Sequence, residues 1–164
     1  MDPLYREYVS MIVESLKAKL GDNLVSVVLF GSVARGEADE GSDIDLLVVL
    51  ESSSGSFGRR FDVFKEIEKE LITSEPRVEL RRRGLGALIS PVPLTREEVI
   101  KHPPILLDIL TDGIILYDKG FIGEQLEELR ERLKALGARK VLLPNGKWYW
   151  DLKPDYELGE VVEI

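Results

Sequence analysis

Two short stretches combine residue types that handle phosphate and metal. The first is Gly31-Ser32, which closes the apolar run Leu24 to Phe30; the second is Asp43-Ile44-Asp45, which opens the run Ile44 to Leu50. A glycine at a strand end admits backbone conformations and close approaches denied to any residue with a Cβ. A helix beginning at Ser32 would aim its unpaired N–H groups at the same place, where an anion is readily held. Asp43 and Asp45, two residues apart on a strand, put both carboxylates on one face with attachment points roughly 7 Å apart. Two like charges converging on one spot repel unless a cation lies between them. An all-oxygen pair suits Mg2+, whose shell is usually completed by water and substrate phosphates. The expected site is a triphosphate held between the Gly31-Ser32 corner and a Mg2+ ion on Asp43 and Asp45.

Either half alone is commonplace, since a Gly-Ser turn is structural in most proteins and a lone Asp-x-Asp usually ends a strand. Their joint spacing, Gly31-Ser32, ten intervening residues, then Asp43-x-Asp45, carries the functional reading. The strings Gly31-Ser32-Val33-Ala34-Arg35-Gly36 and Ser42-Asp43-Ile44-Asp45-Leu46 resemble the signature of the minimal nucleotidyltransferases, archaeal-type members of the polymerase-β-type nucleotidyltransferase superfamily. In order of elements the resemblance runs from about residue 5 to 118. It implies an α/β (α+β) fold, a mixed β-sheet flanked by helices. It places nucleotide on Gly31 and Ser32, and Mg2+ on Asp43 and Asp45 as the catalytic pair. It further implies in-line attack of an acceptor hydroxyl, on a protein or small molecule, at the α-phosphorus of ATP. Minimal members are often paired with a helical partner protein in toxin–antitoxin systems, some of them adenylylating a tyrosine on it, so the resemblance implies such a partner and an antitoxin-like role.

The same resemblance exposes a departure. Family members normally carry a third carboxylate on a later strand, and the stretch Ala87 to Pro93 contains neither Asp nor Glu. Glu79 is the nearest candidate, although a helix over Val78 to Arg83 would leave it on an exposed face. The gap keeps a second function open: a nucleotide- or partner-binding module on this fold, without turnover.

Other residues have plainer readings beside their chemical ones. Arg35 suits a phosphate oxyanion, or it pairs with Glu37 or Asp39 and braces the turn. Arg81, Arg82 and Arg83, with Arg77, would greet RNA or a nucleotide tail, but cations also suit a helix C-terminus. Trp148, Tyr149, Trp150 and Tyr156 offer stacking surfaces, yet a hairpin usually packs one face inward and leaves the other for a partner. His102, the only histidine, precedes two prolines and is expected at the surface with no role.

Composition narrows the classes. With 22 Lys plus Arg against 30 Asp plus Glu, the net charge of −8 repels a phosphate backbone and disfavours nucleic acid as a partner. The absence of cysteine removes disulfides, thiolate metal sites and Cys nucleophiles. No stretch approaches the roughly 18 apolar residues of a membrane span, and a cytoplasmic location is expected. A homo-oligomer is left open.

The elements that must position the two motifs follow from periodicity. Asp2 and Pro3 start a helix whose apolar residues recur to Leu20, and Gly21 stops it. Leu24 to Phe30 and Ile44 to Leu50 read as strands buried on both faces. Ser52 to Gly58 reads as a mobile loop, and Phe61 to Leu71 as a helix that Pro76 interrupts. Ala87 to Pro93 is an edge strand because of its prolines. Thr95 and Glu98 form a capping box. Ile105 to Leu110 is a short helix, Gly113 to Tyr117 a strand, and Phe121 to Leu136 an amphipathic helix. Asn145-Gly146 suits the two-residue turn of a hairpin flanked by Val141 to Leu143 and Lys147 to Trp150. The expected division is a catalytic core over 1–118, with a C-terminal helix, β-hairpin and acidic tail over 119–164 packed on it.

Overall fold

A computed structural model describes residues 1–164. Strands β1 (Leu24–Phe30), β2 (Ile44–Leu50), β3 (Ile89–Thr95) and β4 (Ile114–Asp118) form one mixed sheet in the order β3-β2-β1-β4. β1 runs antiparallel to β2 and to β4, and β2 runs parallel to β3. Pro91 and Pro93 lie on β3, which is an outer strand, where a missing N–H breaks no ladder on the solvent side.

Two helical layers sandwich the sheet, which is why β1 and β2 are apolar almost throughout. On one face α1 (Pro3–Leu20), α3 (Asp62–Leu71) and α4 (Glu75–Arg82) bury Tyr8, Ile12, Leu16, Ile67 and Leu80 against Ile44, Leu46 and Val48 of β2. On the other, α5 (Arg96–Val99), α6 (Ile105–Asp112) and α7 (Ile122–Ala135) bury Val99, Leu106, Ile109 and Leu129 against Leu47 and Val49. Helices as short as α3 are marginal alone. Each fully buried aliphatic side chain contributes about 1.5–3 kcal/mol, so Phe64, Ile67 and Leu71 hold α3 by packing.

The helix starts are written locally. Asp2 accepts the Leu4 N–H at 2.8 Å, with Pro3 in the first turn of α1. Thr95 and Glu98 form the expected reciprocal box. Asp118 accepts N–H bonds from Phe121, Ile122 and Gly123 and the Ser26 hydroxyl at 2.7 Å, so the end of β4 caps α7.

Several expectations are corrected. Pro76 opens α4 rather than interrupting a helix, because the first turn has no use for its missing N–H. Phe57–Phe61 forms a 3-10 turn that begins at the end of the serine-rich stretch, and the Phe57 and Phe61 rings meet edge to face. His102 is buried, only 3% exposed, at φ 47°, with neither ring nitrogen hydrogen-bonded. Its N–H closes a turn onto Val99, which swings the side chain inward ahead of Pro103. Arg77 is also buried, bonded to Glu68 and the Tyr8 hydroxyl, and so does not join Arg81 to Arg83 at a solvated helix end.

The hairpin forms from β5 (Arg139–Leu142) and β6 (Trp148–Asp151), with a different turn from the one expected. Gly146 alone has positive φ, and the bonds Gly146 N–H to Leu143 O and Leu143 N–H to Lys147 O enclose Pro144-Asn145-Gly146. That is a type I turn followed by a left-handed glycine. Trp150 packs on the second core, as do Leu152 and Ile164 at either end of the irregular tail. No helix of the structure is long and apolar enough to cross a membrane.

Candidate functional site

Phe30, the last residue of β1, is the register partner of Asp45 near the start of β2. The antiparallel pairing therefore brings the end of one strand and the beginning of the next to the same rim of the sheet. Gly31 follows at φ +74° and begins α2 (Gly31–Arg35), which Gly36 ends in a left-handed conformation. A Cβ on Gly31 would overlap the Asp45 carboxylate and lie 3.2 Å from its Cγ. The glycine thus serves both the backbone conformation and the close approach of the acid. Gly31, Ser32, Asp43 and Asp45 belong to one rim.

The approach is fixed by a chain of hydroxyls. Ser32 donates to the Ser42 hydroxyl at 3.0 Å, and Ser42 donates to Asp39 Oδ1 at 3.0 Å while accepting the Asp39 N–H at 2.9 Å. Ser42 is buried, so these bonds are sheltered and couple the α2 start to the bend before Asp43. Beneath the bend lies Gly86, whose N–H bonds to Asp39 O at 2.9 Å and whose carbonyl accepts the Tyr5 hydroxyl at 2.6 Å. A Cβ there would overlap the Ser42 carbonyl. Ser42 and Gly86 are positioning residues that sequence reasoning missed. Asp39 and Gly41 signal the bend as turn formers, but nothing local signals its contact with residue 86.

Asp43 is exposed and makes no hydrogen bond or ion pair, whereas Asp45 is half-buried. Burial pushes the Asp45 carboxyl above the ordinary carboxylate range, and repulsion from Asp43 adds to this. The hydroxyl of Ser90 and the charge of Arg35 oppose it. A carboxylate held in that condition gains from a cation. The donors are all oxygen, and a pair of carboxylates is the kind of ligand set Mg2+ takes from a protein.

Ser90 is the register partner of Asp45 on β3 and completes the row across the strands with a hydroxyl instead of an acid. Glu79 does not substitute: it sits on α4 and binds Arg82 and Arg83, each at 2.8 Å. No three His, Cys, Asp or Glu side chains gather anywhere in the structure as a metal-holding group.

Arg35 makes the bracing contacts, with Nε on Glu37 at 2.7 Å and a terminal nitrogen on Asp112 of α6 at 3.2 Å. It also lines a cleft of about 590 Å³ that opens beside Gly31, walled by Asp108 and Asp112 on one side and Lys140 and Trp148 of the hairpin on the other. That volume lies within the range of small-ligand sites. Of the four aromatic residues near the C-terminus, only Trp148 faces this cleft.

Residues 9–161 match the family described as Nucleotidyltransferase domain. The chain belongs to the nucleotidyltransferase family. This nucleotidyltransferase is 33% identical over 128 residues to the Methanocaldococcus jannaschii protein named "Putative protein adenylyltransferase MJ1305", an alignment covering 76% of this chain and 80% of that one. Among solved structures, a toxin-antitoxin with AMP-PNP aligns at 14% identity and a TM-score of 0.48, covering 77% of this chain and 90% of that one. A complex of tri-AMPylated Shewanella oneidensis HEPN toxin with MNT antitoxin aligns at 16% identity and a TM-score of 0.48, covering 79% and 89%. Neither structural likeness is close enough to bear on function. The chemistry of the nucleotidyltransferase is the transfer of a nucleotidyl group.

Proposed function

We propose that this nucleotidyltransferase moves AMP from ATP to a hydroxyl on a protein, with Gly31, Ser32 and Arg35 holding the triphosphate and Asp43 and Asp45 holding Mg2+. The observation that carries the reading is the Gly31–Asp45 contact, which joins a phosphate-binding corner to a metal-binding carboxylate with no side chain between. The name of the Methanocaldococcus jannaschii relative supports adenylyl transfer to protein, and the resemblance of the motifs supports a helical partner as acceptor, in an antitoxin-like pairing. A nucleoside triphosphate donor accords with work in the cytoplasm. In this reading residues 1–118 form the catalytic core, and 119–164 add a wall to it.

The amides of Gly31 and Ser32 orient the phosphates, and the Ser32–Ser42–Asp39 bonds keep that corner from drifting relative to Asp43 and Asp45. Bound Mg2+ supplies charge neutralisation at the reacting phosphate. The acceptor oxygen forms its bond to the α-phosphorus as the bond to the bridging oxygen breaks, and pyrophosphate leaves with that electron pair. The acceptor proton passes to solvent, because Ser90 rather than a third carboxylate lies beside Asp45. Charge stabilisation and positioning account for most of the acceleration in such a site.

Ser90 also favours a second reading, a nucleotide- or partner-binding module with little turnover. Incubation with labelled ATP, Mg2+ and co-expressed partner proteins decides between them. Label transfer that Asp43→Asn or Asp45→Asn abolishes supports the transferase; saturable nucleotide binding with no transfer to any acceptor supports the module.

A further inference from the structure

The cleft beside Gly31 has a second cation, and it comes from the hairpin rather than from the core. Lys140 Nζ lies 4.1 Å from the centroid of the Trp148 ring, and both residues line the cleft together with Gly31 and Arg35. Arg35 is largely committed, since Glu37 and Asp112 each take one of its nitrogens. Lys140 has no carboxylate partner. Its three N–H donors are therefore unused by the protein, while the aromatic face attracts the ammonium electrostatically and holds it at the cleft wall.

The hairpin is placed firmly enough for this to matter. Lys140 and Trp150 are cross-strand partners, as are Leu142 and Trp148, so Lys140, Trp148 and Trp150 share one face of the two-stranded ribbon. Trp150 packs on the second core and orients that face toward the body of the molecule. In the proposed site a triphosphate on Gly31 would turn part of its charge toward the residues that would hold Mg2+, Asp43 and Asp45. The outer phosphates would need positive charge from another side, because Glu37 and Asp112 already draw on the charge of Arg35 and Asp108 adds a further carboxylate to the cleft wall. We infer that Lys140, presented on Trp148, binds the outer phosphates of the nucleotide and the departing pyrophosphate, which makes the C-terminal hairpin part of the nucleotide site. The inference rests on the proposed triphosphate site at Gly31 and adds a positioning residue to it.

The 164-residue chain carries two tryptophans, so Trp150→Phe leaves Trp148 as the sole tryptophan reporter. Trp150 Nε1 has no hydrogen-bond partner, so the change deletes no bond. In that background inorganic tripolyphosphate, with and without Mg2+, should change Trp148 emission saturably as the ammonium leaves the ring for phosphate. Lys140→Gln should weaken that binding about tenfold, the scale of one charge-assisted hydrogen bond at a partly exposed site, and Lys140→Arg should restore it. In the transfer assay, Lys140→Gln should raise the KM for ATP more than it lowers kcat. An emission response to tripolyphosphate that Lys140→Gln leaves unchanged, or a response to adenosine with none to tripolyphosphate, would overturn the inference; the second would assign Trp148 to the base. Transfer that depends on Asp43 and is indifferent to Lys140 sinks this inference alone. A Lys140-dependent response in a protein that transfers nothing upholds the anion site and sinks the proposed reaction.

Discussion

Gly31 and Asp45 approach so closely that a single methyl group on the glycine would overlap the carboxylate, although fourteen positions separate them in the chain. Gly31→Ala therefore has two consequences with different readouts. The left-handed conformation becomes strained, at about 1 kcal/mol or more, which lowers the melting temperature by a few degrees. Displacement of Asp45 is expected to reduce nucleotidyl transfer roughly 100-fold, because a misplacement of about 1 Å at a reacting centre has that scale. Thermal melts and label transfer on the same sample check both, and a variant that melts early but transfers at full rate would refute the contact's role.

Asp45→Asn should abolish transfer while making the metal-free protein more stable. The Asp45 carboxyl is raised above its ordinary value of 3.8 by burial and by Asp43. A raised acid binds its proton more tightly folded than unfolded, so stability falls as pH rises from the unfolded value near 3.8 to the raised folded value and the loss is constant beyond it. The stability gap between Asp45→Asn and the native chain should thus be small in acid, widen as pH rises through the raised pKa, and level off beyond it. Melting curves across pH, with and without Mg2+, test this; added Mg2+ should narrow the gap by compensating the native carboxylates.

Ser90→Asp places a third carboxylate in register with Asp45. The expected results are tighter binding of Mg2+ or Mn2+, measured by titration calorimetry, and faster transfer to any acceptor the native protein modifies. Without bound metal the added charge should lower stability by repulsion. A variant with unchanged metal affinity would show that Ser90 does not face the same spot as the two acids.

Asp118 gives the opposite pH signature. Burial raises its pKa, but the hydroxyl of Ser26 and three backbone N–H groups outweigh that and hold it below the ordinary carboxylate range. Its contribution is present above the unfolded value near 3.8 and is lost as pH falls through the depressed folded value. Asp118→Ala should cost about 1–2 kcal/mol at neutral pH, as loss of a helix cap does, and the cost should shrink in strong acid.

The parts of this architecture that were legible in the sequence are those whose cause is local. β1 and β2 are readable because strands buried on both faces become continuous apolar runs, and the capping box of α5 is four residues long. The phosphate corner and the acid pair are also local, and their proximity follows once β1 and β2 pair antiparallel. Gly86 was not legible, since its reason is the Ser42 carbonyl far away in the chain, nor was the burial of His102, which depends on a turn closed onto Val99. The turn of the hairpin was misread because Pro144 holds a geometry that leaves only Gly146 left-handed. Glu79 is near the missing third carboxylate only along the chain, since α4 packs on the sheet face opposite Leu47 and Val49 and turns it to Arg82 and Arg83.

The pairing of Phe30 with Asp45 has an evolutionary consequence. Since two neighbouring strands hold the rim together, the stretch from Gly36 to Gly41 meets it only through Glu37, which takes Arg35, and Asp39, which reaches back to Ser42 and to the Gly86 N–H. Charge can therefore change at Glu40, whose exposed side chain holds nothing in place, while the length of the stretch stays tied to those contacts.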